Sequence, residues 1–323
     1  MARSERAGVG DVGKLGDSGP AGAGNPIGAL HCDALTATDI SGALALSDAA
    51  GWNQTAEDWT LFIRRGHAMT YRDAAGVVVA TAAALAYGGG QGWISMVLVD
   101  KAFRHRGLAS GLLDACVARL QAEGQVPVLD ATPDGAAVYR QLGFEASFEI
   151  ERWQRRATDA QRSAMELRAD EHAQGPAAGA TPRRASAADL ATLVALDRKA
   201  SGLDREFLIE SFLSRPGTRA WLSDDRRGFV IAREGRRAVQ LGPLVAADAP
   251  AAIALLEAAL HSHPGGASRG LFVDVLVRGR DVVRWLERRG FSRQRSFVRM
   301  SLGAPRPLLV DDTAFIIAGP EFG

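Results

Sequence analysis

Met96-Val-Leu-Val-Asp-Lys-Ala-Phe-Arg-His-Arg-Gly-Leu-Ala109 begins as an aliphatic strand, passes through a short basic loop and opens an apolar-periodic helix. From there Leu108, Leu112, Leu113, Cys116, Val117 and Leu120 recur at helical spacing, with Asp114 and Arg119 elsewhere on the wheel. Gly124 is a helix stop. The small residues Gly107 and Ala109 stand where the backbone must approach a ligand, and the loop turns several N–H groups and the positive helix end toward one point. That point suits a pyrophosphate, to which Arg104 and Arg106 would add charge-assisted hydrogen bonds.

Working outward, the stretch upstream reads as helices around Ile40–Leu46 and Trp59–Ile63, with a loop over Gly51–Thr55 between them. Strands follow at Ala68–Arg72, Val77–Ala86 and Trp93–Val99, joined by turns at Asp73–Gly76 and Gly88–Gly92, which makes an antiparallel meander. Downstream come a strand at Val126–Ala131, a helix at Gly135–Leu142 and a strand at Ser147–Trp153.

The same order then repeats. Helices at Ala187–Ala200 and Arg205–Leu213 precede strands at Arg219–Leu222, Gly228–Arg233 and Ala238–Val245. A helix at Ala249–His261, a strand at Gly270–Leu276, a helix at Arg280–Arg289 and a strand at Ser296–Leu302 complete the second half, so the halves read as diverged copies. Boundaries are placed at 1–30 for a Gly/Ala/Ser-rich disordered tail, 31–156 for the first domain, 157–181 for a linker with a helix over Asp159–Ala169, and 182–323 for the second domain.

The motif segment resembles motif A of the GNAT superfamily, Gln/Arg-x-x-Gly-x-Gly/Ala, which Arg104, Gly107 and Ala109 fill. Val138-Tyr-Arg-Gln-Leu-Gly-Phe144 resembles the family's motif B, ending in Tyr-x-x-x-Gly-Phe. The resemblance implies an α/β fold of two tandem GNAT-like domains, each a mixed, mostly antiparallel sheet flanked by helices. It also implies an N-acetyltransferase that moves an acetyl group from acetyl-CoA to an amine by direct transfer, or, as the alternative, an acyl-CoA-binding sensor that releases no product. On that resemblance the coenzyme contacts fall on Val97, Leu98, Val99, Arg104, His105, Arg106, Gly107, Leu108, Ala109 and Thr132, the last standing where the family often has Asn. Tyr139 becomes the acid that protonates the leaving thiolate, and the backbone of Val97–Val99 the site that receives the thioester oxygen.

Direct transfer needs no cysteine nucleophile, and Cys116 belongs to an apolar helix face. The base is open: Asp130, Asp100 and His67 qualify by type, and turn or cap roles serve each as well. Trp52, Asn53, Asp58 and Trp59 fall where GNAT folds form one wall of the acceptor site, while core, turn and cap roles suit them equally.

The second half lacks the Arg-x-x-Gly-x-Ala loop: only Ala-Asp-Ala-Pro separates Leu244-Val-Ala from Ala251, and Leu286 stands in place of the tyrosine. It reads as a degenerate copy that binds no second coenzyme. Bulk properties narrow the partners to a small-molecule or peptide amine. A net charge of +1 offers no excess for nucleic acid, no apolar run reaches membrane-spanning length, and two distant cysteines give neither a metal motif nor a disulfide framework. A cytoplasmic, metal-free protein is the expectation, with its oligomeric state open.

Overall fold

The computed structural model describes residues 30, 32–157, 181–262, 269–303 and 311–323. The expected N-terminal tail and the helix over Asp159–Ala169 lie outside the described residues. The chain forms two compact units, Met1–Ala146 with Met300–Ala304, and Ser147–Arg299 with Pro305–Gly323.

In unit 1, β1 (Cys32–Ala34), β2 (His67–Arg72), β3 (Val78–Tyr87) and β4 (Gln91–Val99) form an antiparallel meander. Next to β4 runs β5 (Val126–Ala131), in parallel. Two helices precede β2: α1 (Ile40–Ala49) and α2 (Ala56–Arg65). The start of α2 is fixed by a capping box, in which Thr55 N–H donates to Asp58 Oδ2 at 2.8 Å and Asp58 N–H returns a bond to Thr55 Oγ1. That arrangement buries Asp58, Trp59 and Phe62, and each apolar side chain so buried contributes on the order of 1.5–3 kcal/mol.

Helix α3 (Leu108–Ala122) buries Leu108, Leu112, Leu113, Cys116 and Leu120 against β2–β5, as the spacing requires. It lies so close to β4 that a Cβ on Gly92 would overlap the Leu120 side chain. Helix α4 (Pro133–Gln141) follows β5 and carries Tyr139.

Unit 2 repeats the pattern. After β7 (Arg183–Arg184) come α5 (Leu190–Ser201) and α6 (Glu206–Ser214), then antiparallel β8 (Arg219–Leu222), β9 (Phe229–Arg233) and β10 (Ala238–Val245). Helix α7 (Ala249–Ser262) leads to β11 (Gly270–Leu276), parallel to β10, and α8 (Arg280–Arg288) to β12 (Ser292–Leu302). Leu255, Leu256, Trp285 and Leu286 from the two helices meet Val230, Leu241 and Val273 from the sheet in one core. A last strand, β13 (Ala314–Ile316), has no counterpart in the sequence reading.

The units divide the chain inside β6 (Phe144–Arg155), whereas the sequence reading ended the first domain at residue 156. From Ile150↔Leu276 to Arg155↔Leu271, β6 pairs antiparallel with β11 of unit 2. Within that pairing Arg152 grips Asp274 through both oxygens at 2.7 Å, and Gln240 Nε2 donates to the same carboxylate at 2.9 Å. Unit 1 in turn takes Met300–Ala304 from the far end of β12. A fragment of residues 34–156 therefore lacks 300–304 and carries β6 with its β11 partner missing, an unpaired edge that promotes association. The fragment is expected to be aggregated or inactive; size-exclusion chromatography and an acetyl-CoA binding isotherm check it, and a monodisperse, fully binding fragment would contradict the exchange.

Candidate active site

Two backbone features of unit 1 build the site. In the first, β4 carries one residue more than β3 between Ser95 and Leu98, because Ala83 registers with Ser95 and Thr81 with Leu98. The bulge puts Met96 at φ 57°, and Thr81 Oγ1 fastens it by donating to Met96 O at 2.9 Å. The parallel pairing of β4 with β5 covers Gln91↔Val126 to Trp93↔Val128 and stops there, although β4 runs on to Val99 and β5 to Ala131. The strands splay, and the backbone of Val97–Val99 on the β5 side has no strand partner among the described residues.

The second feature is the turn into α3. Asp100 starts a 3₁₀ turn over Lys101–Phe103, its Oδ1 accepting from Ala102 N–H at 2.8 Å. His105 (φ 60°) and Gly107 (φ 78°) both take the left-handed conformation, and Gly107 is the N-cap of α3 with no side-chain cap. The first N–H groups of a helix have no partner within it. Those of Leu108, Ala109 and Ser110 thus point out of the helix start, beside a glycine whose added Cβ would meet nothing within 4 Å. This is a backbone cradle for an anion at the mouth of the splay, and it fits a diphosphate.

Both arginines of the loop bond to its own backbone. Arg104 Nε donates back to Val99 O at 3.3 Å, and Arg106 Nη2 to Ala102 O at 3.0 Å with its guanidinium over the Phe103 ring. Both shape the loop, and the exposed Arg106 has further donors free to turn outward. Thr132 is the N-cap of α4, its Oγ1 accepting from Gly135 N–H at 3.3 Å, which leaves its O–H as a donor.

Tyr139 lies at 8% exposure, edge-on to Phe144 at 5.7 Å. Burial, then the neighbouring Cys116, push its phenol up to about 12, so it keeps its proton at neutral pH. Cys116 is wholly buried and its thiol is pushed up to about 12, chiefly by burial, which makes it an inert core side chain.

The base candidates disperse. His67 Nε2 lies 2.9 Å from Glu123 Oε1, and the same carboxylate oxygen pairs with Arg119 Nε at 3.0 Å, at the C-terminal end of α3. At 1.5 Å per residue that end lies roughly 20 Å from Gly107. Asp100 is a turn cap, and Asp130 sits half-buried near the end of β5, nearest the splay in sequence. In the α1–α2 segment, Asp58 belongs to the capping box and the buried Trp59 donates Nε1 to Ser47 Oγ at 3.3 Å. Asn53 is buried, and Trp52 is partly exposed. The sequence reading missed the bulge, since nothing about a methionine announces positive φ.

Residues 43–144 match the acetyltransferase (GNAT) family, and residues 193–315 match a second acetyltransferase (GNAT) domain. The chain belongs to the GNAT family, in tandem form. YitH of Bacillus subtilis (strain 168), an uncharacterised N-acetyltransferase, is 26% identical over 115 residues, which are 35% of this chain and 40% of that protein's length. A proposed acetyltransferase from Pyrococcus horikoshii shares the fold at TM-score 0.72 with 18% identity, over 94% of this chain and 99% of that one. A tandem GNAT protein from the clavulanic acid biosynthesis pathway superposes at TM-score 0.60 with 16% identity, over 86% of this chain and 100% of that one. Among the described residues no group of three or more His, Cys, Asp or Glu is placed to hold a metal, and no helix is long and apolar enough to cross a membrane.

Proposed function

We propose that unit 1 binds acetyl-CoA and transfers its acetyl group to the amine of a small molecule or peptide. The observation that carries this reading is the splay of β4 from β5 beyond Trp93 and Val128, which ends at the uncapped, glycine-started helix α3. A coenzyme whose amide-bearing arm is extended and whose pyrophosphate is compact matches that pair of features in order. GNAT membership of residues 43–144 supports it.

In this mechanism the backbone of Met96–Val99 pairs with the arm, and an N–H past the bulge receives the thioester oxygen as its charge grows. The amine lone pair forms the C–N bond, the C–S bond breaks, and the electron pair leaves with sulfur. Tyr139 faces that sulfur as a hydrogen-bond donor. With its phenol near 12 it is a weaker acid than a thiol, ordinarily about 8.5, so it holds the thiolate without surrendering its proton outright. The proton of the attacking nitrogen departs through water. Leu108, Ala109 and Ser110 N–H groups hold the diphosphate, with His105 and Arg106 on its exposed rim.

The test is release of free thiol from acetyl-CoA in the presence of a panel of primary amines, with the acetylated product identified by mass. Tight binding without release for any amine would reduce unit 1 to a sensor.

Unit 2 is expected to bind no coenzyme. Where unit 1 has residues 100–107 between strand and helix, unit 2 has only 246–248, and Asp248 Oδ1 accepts from Ala251 N–H at 2.9 Å. The carboxylate sits where an anion would, and repels one. Calorimetry on the full chain is expected to give one acetyl-CoA per chain; two would mean that unit 2 keeps a working site.

A further inference from the structure

In unit 2, β10 and β11 stand where β4 and β5 stand in unit 1. They pair in parallel, and β10 carries the same one-residue excess against its antiparallel neighbour, between Leu241 and Leu244. Their direct pairing ends at Leu241↔Val273, just as the β4–β5 pairing ends at Trp93↔Val128. In unit 1 the splay beyond that point is the slot assigned to the coenzyme arm. In unit 2 it is filled by protein.

The filler is β13. It runs antiparallel to both walls, with Ile316 in register with Leu244 on one side and Val275 on the other, and Ala314 with Val245. The ladder continues past the strand ends: Ala246 N–H donates to Thr313 O at 2.9 Å, and Ile317 N–H to Asp274 O at 3.0 Å. Ala314, Ile316 and Ile317 are buried, so the segment supplies apolar filling as well as backbone bonds.

The segment is also fastened downstream by cations that the fold has buried. Arg233 Nη2 donates to Ala318 O at 2.7 Å and Glu321 Oε1 at 2.9 Å, and its guanidinium lies over the Phe212 and Phe322 rings. Arg205, held by both oxygens of Asp197, donates Nη1 to Phe322 O at 3.0 Å and to the Gly323 oxygen. A buried guanidinium is tolerated only with its partners in place. Part of the partnership of Arg233 and Arg205 comes from residues 318–323, so unit 2 is built around an occupied slot.

We propose that the slot of unit 2 has become a receptor for an extended peptide, and that its occupant is the chain's own segment 313–323, which closes it to any coenzyme. The occupant is a strand by its backbone pairing and a ligand by its position. This holds whether or not unit 1 transfers acetyl groups, because every group it uses lies in unit 2.

Hydrogen exchange on the full chain tests it first. Amides of residues 314–318 and of the end of β10 are expected to be strongly protected, equally so with and without acetyl-CoA, whereas β4 amides gain protection when acetyl-CoA binds. Glu321→Gln, which removes the ion pair with Arg233, is expected to speed exchange over 313–318 by at least tenfold; unchanged exchange would overturn the proposal, as would rapid exchange of this segment in the wild type. The second arm adds Ile317→Pro, which deletes the N–H donated to Asp274 O. A labelled synthetic peptide with the sequence of residues 311–323 is expected to bind this double variant and not the wild type. Failure of the peptide to bind a variant that keeps its β10 and β11 protection would sink the receptor, and uptake of a second acetyl-CoA by the variant would show that the segment is merely a gate over a coenzyme site. If the double variant does not fold, the wild-type and Glu321→Gln exchange rates decide alone.

Discussion

Gly107→Asp is expected to weaken acetyl-CoA binding by at least about 100-fold, or roughly 3 kcal/mol at 1.4 kcal/mol per tenfold. Three effects add. Gly107 sits at φ 78°, and an L-residue there costs roughly 1–2 kcal/mol, which shifts the turn away from the conformation that aims the amides. The new carboxylate follows the glycine's open direction, where nothing lies within 4 Å, and so enters the space reserved for the ligand. It also supplies the side-chain cap that α3 now lacks, satisfying amides that would otherwise face an anion. Gly107→Ala separates these effects, since it brings the backbone strain without the charge and should lose far less affinity. Calorimetry on both variants is the measurement, and wild-type affinity in Gly107→Asp would remove the loop from the site.

Tyr139→Phe is expected to lower kcat on the order of 100-fold with little change in acetyl-CoA affinity, because a donor to sulfur matters most when charge collects there. No protein hydrogen bond to the Tyr139 hydroxyl is found among the described residues, and the ring's contact with Phe144 survives the change, so melting should move little. A pH profile adds an independent check. The phenol is raised to about 12, so it remains protonated throughout the working range, and it supplies no basic limb to kcat below about pH 10. The same shift has a stability consequence with a definite sign. Folded protein binds this proton more tightly than unfolded chain, so its contribution is intact below the ordinary tyrosine value near 10 and is lost as pH rises from there toward about 12. Undiminished turnover in Tyr139→Phe would return the ring to the core.

Local pattern made most of this fold readable. The helical spacing of Leu108, Leu112, Cys116 and Leu120 is the buried face of α3, and the Asp73–Gly76 turn joins β2 to β3. The glycine at the helix start is legible as a small residue, while its left-handed backbone, at φ 78°, is visible only in the fold. What escaped were pairings between distant segments. The strand after Gly143-Phe144 reads as the last strand of the first half, and nothing in its own alternation says that Arg152 meets Asp274. The same holds for Ala314-Phe-Ile316, whose three residues are too short for a periodicity and take their meaning from the two walls they join. The sequence expects Arg104, Arg106 and Thr132 to meet a coenzyme; in the fold Arg104 and Arg106 each spend a donor on the backbone of their loop, and Thr132 caps α4.

The traded strand ends set an order of events during synthesis. Unit 1 includes residues 300–303, which leave the ribosome long after Ala146. At roughly 5–20 residues per second, the first unit waits on the order of ten to thirty seconds for its final piece. During that interval the nascent β6 has no β11 to meet, and the first unit is unfinished although all of its motifs have been made. A gene fragment that stops after the first copy therefore encodes a recognisable GNAT signature without the means to complete it, and nascent chains should gain resistance to protease in a single late step.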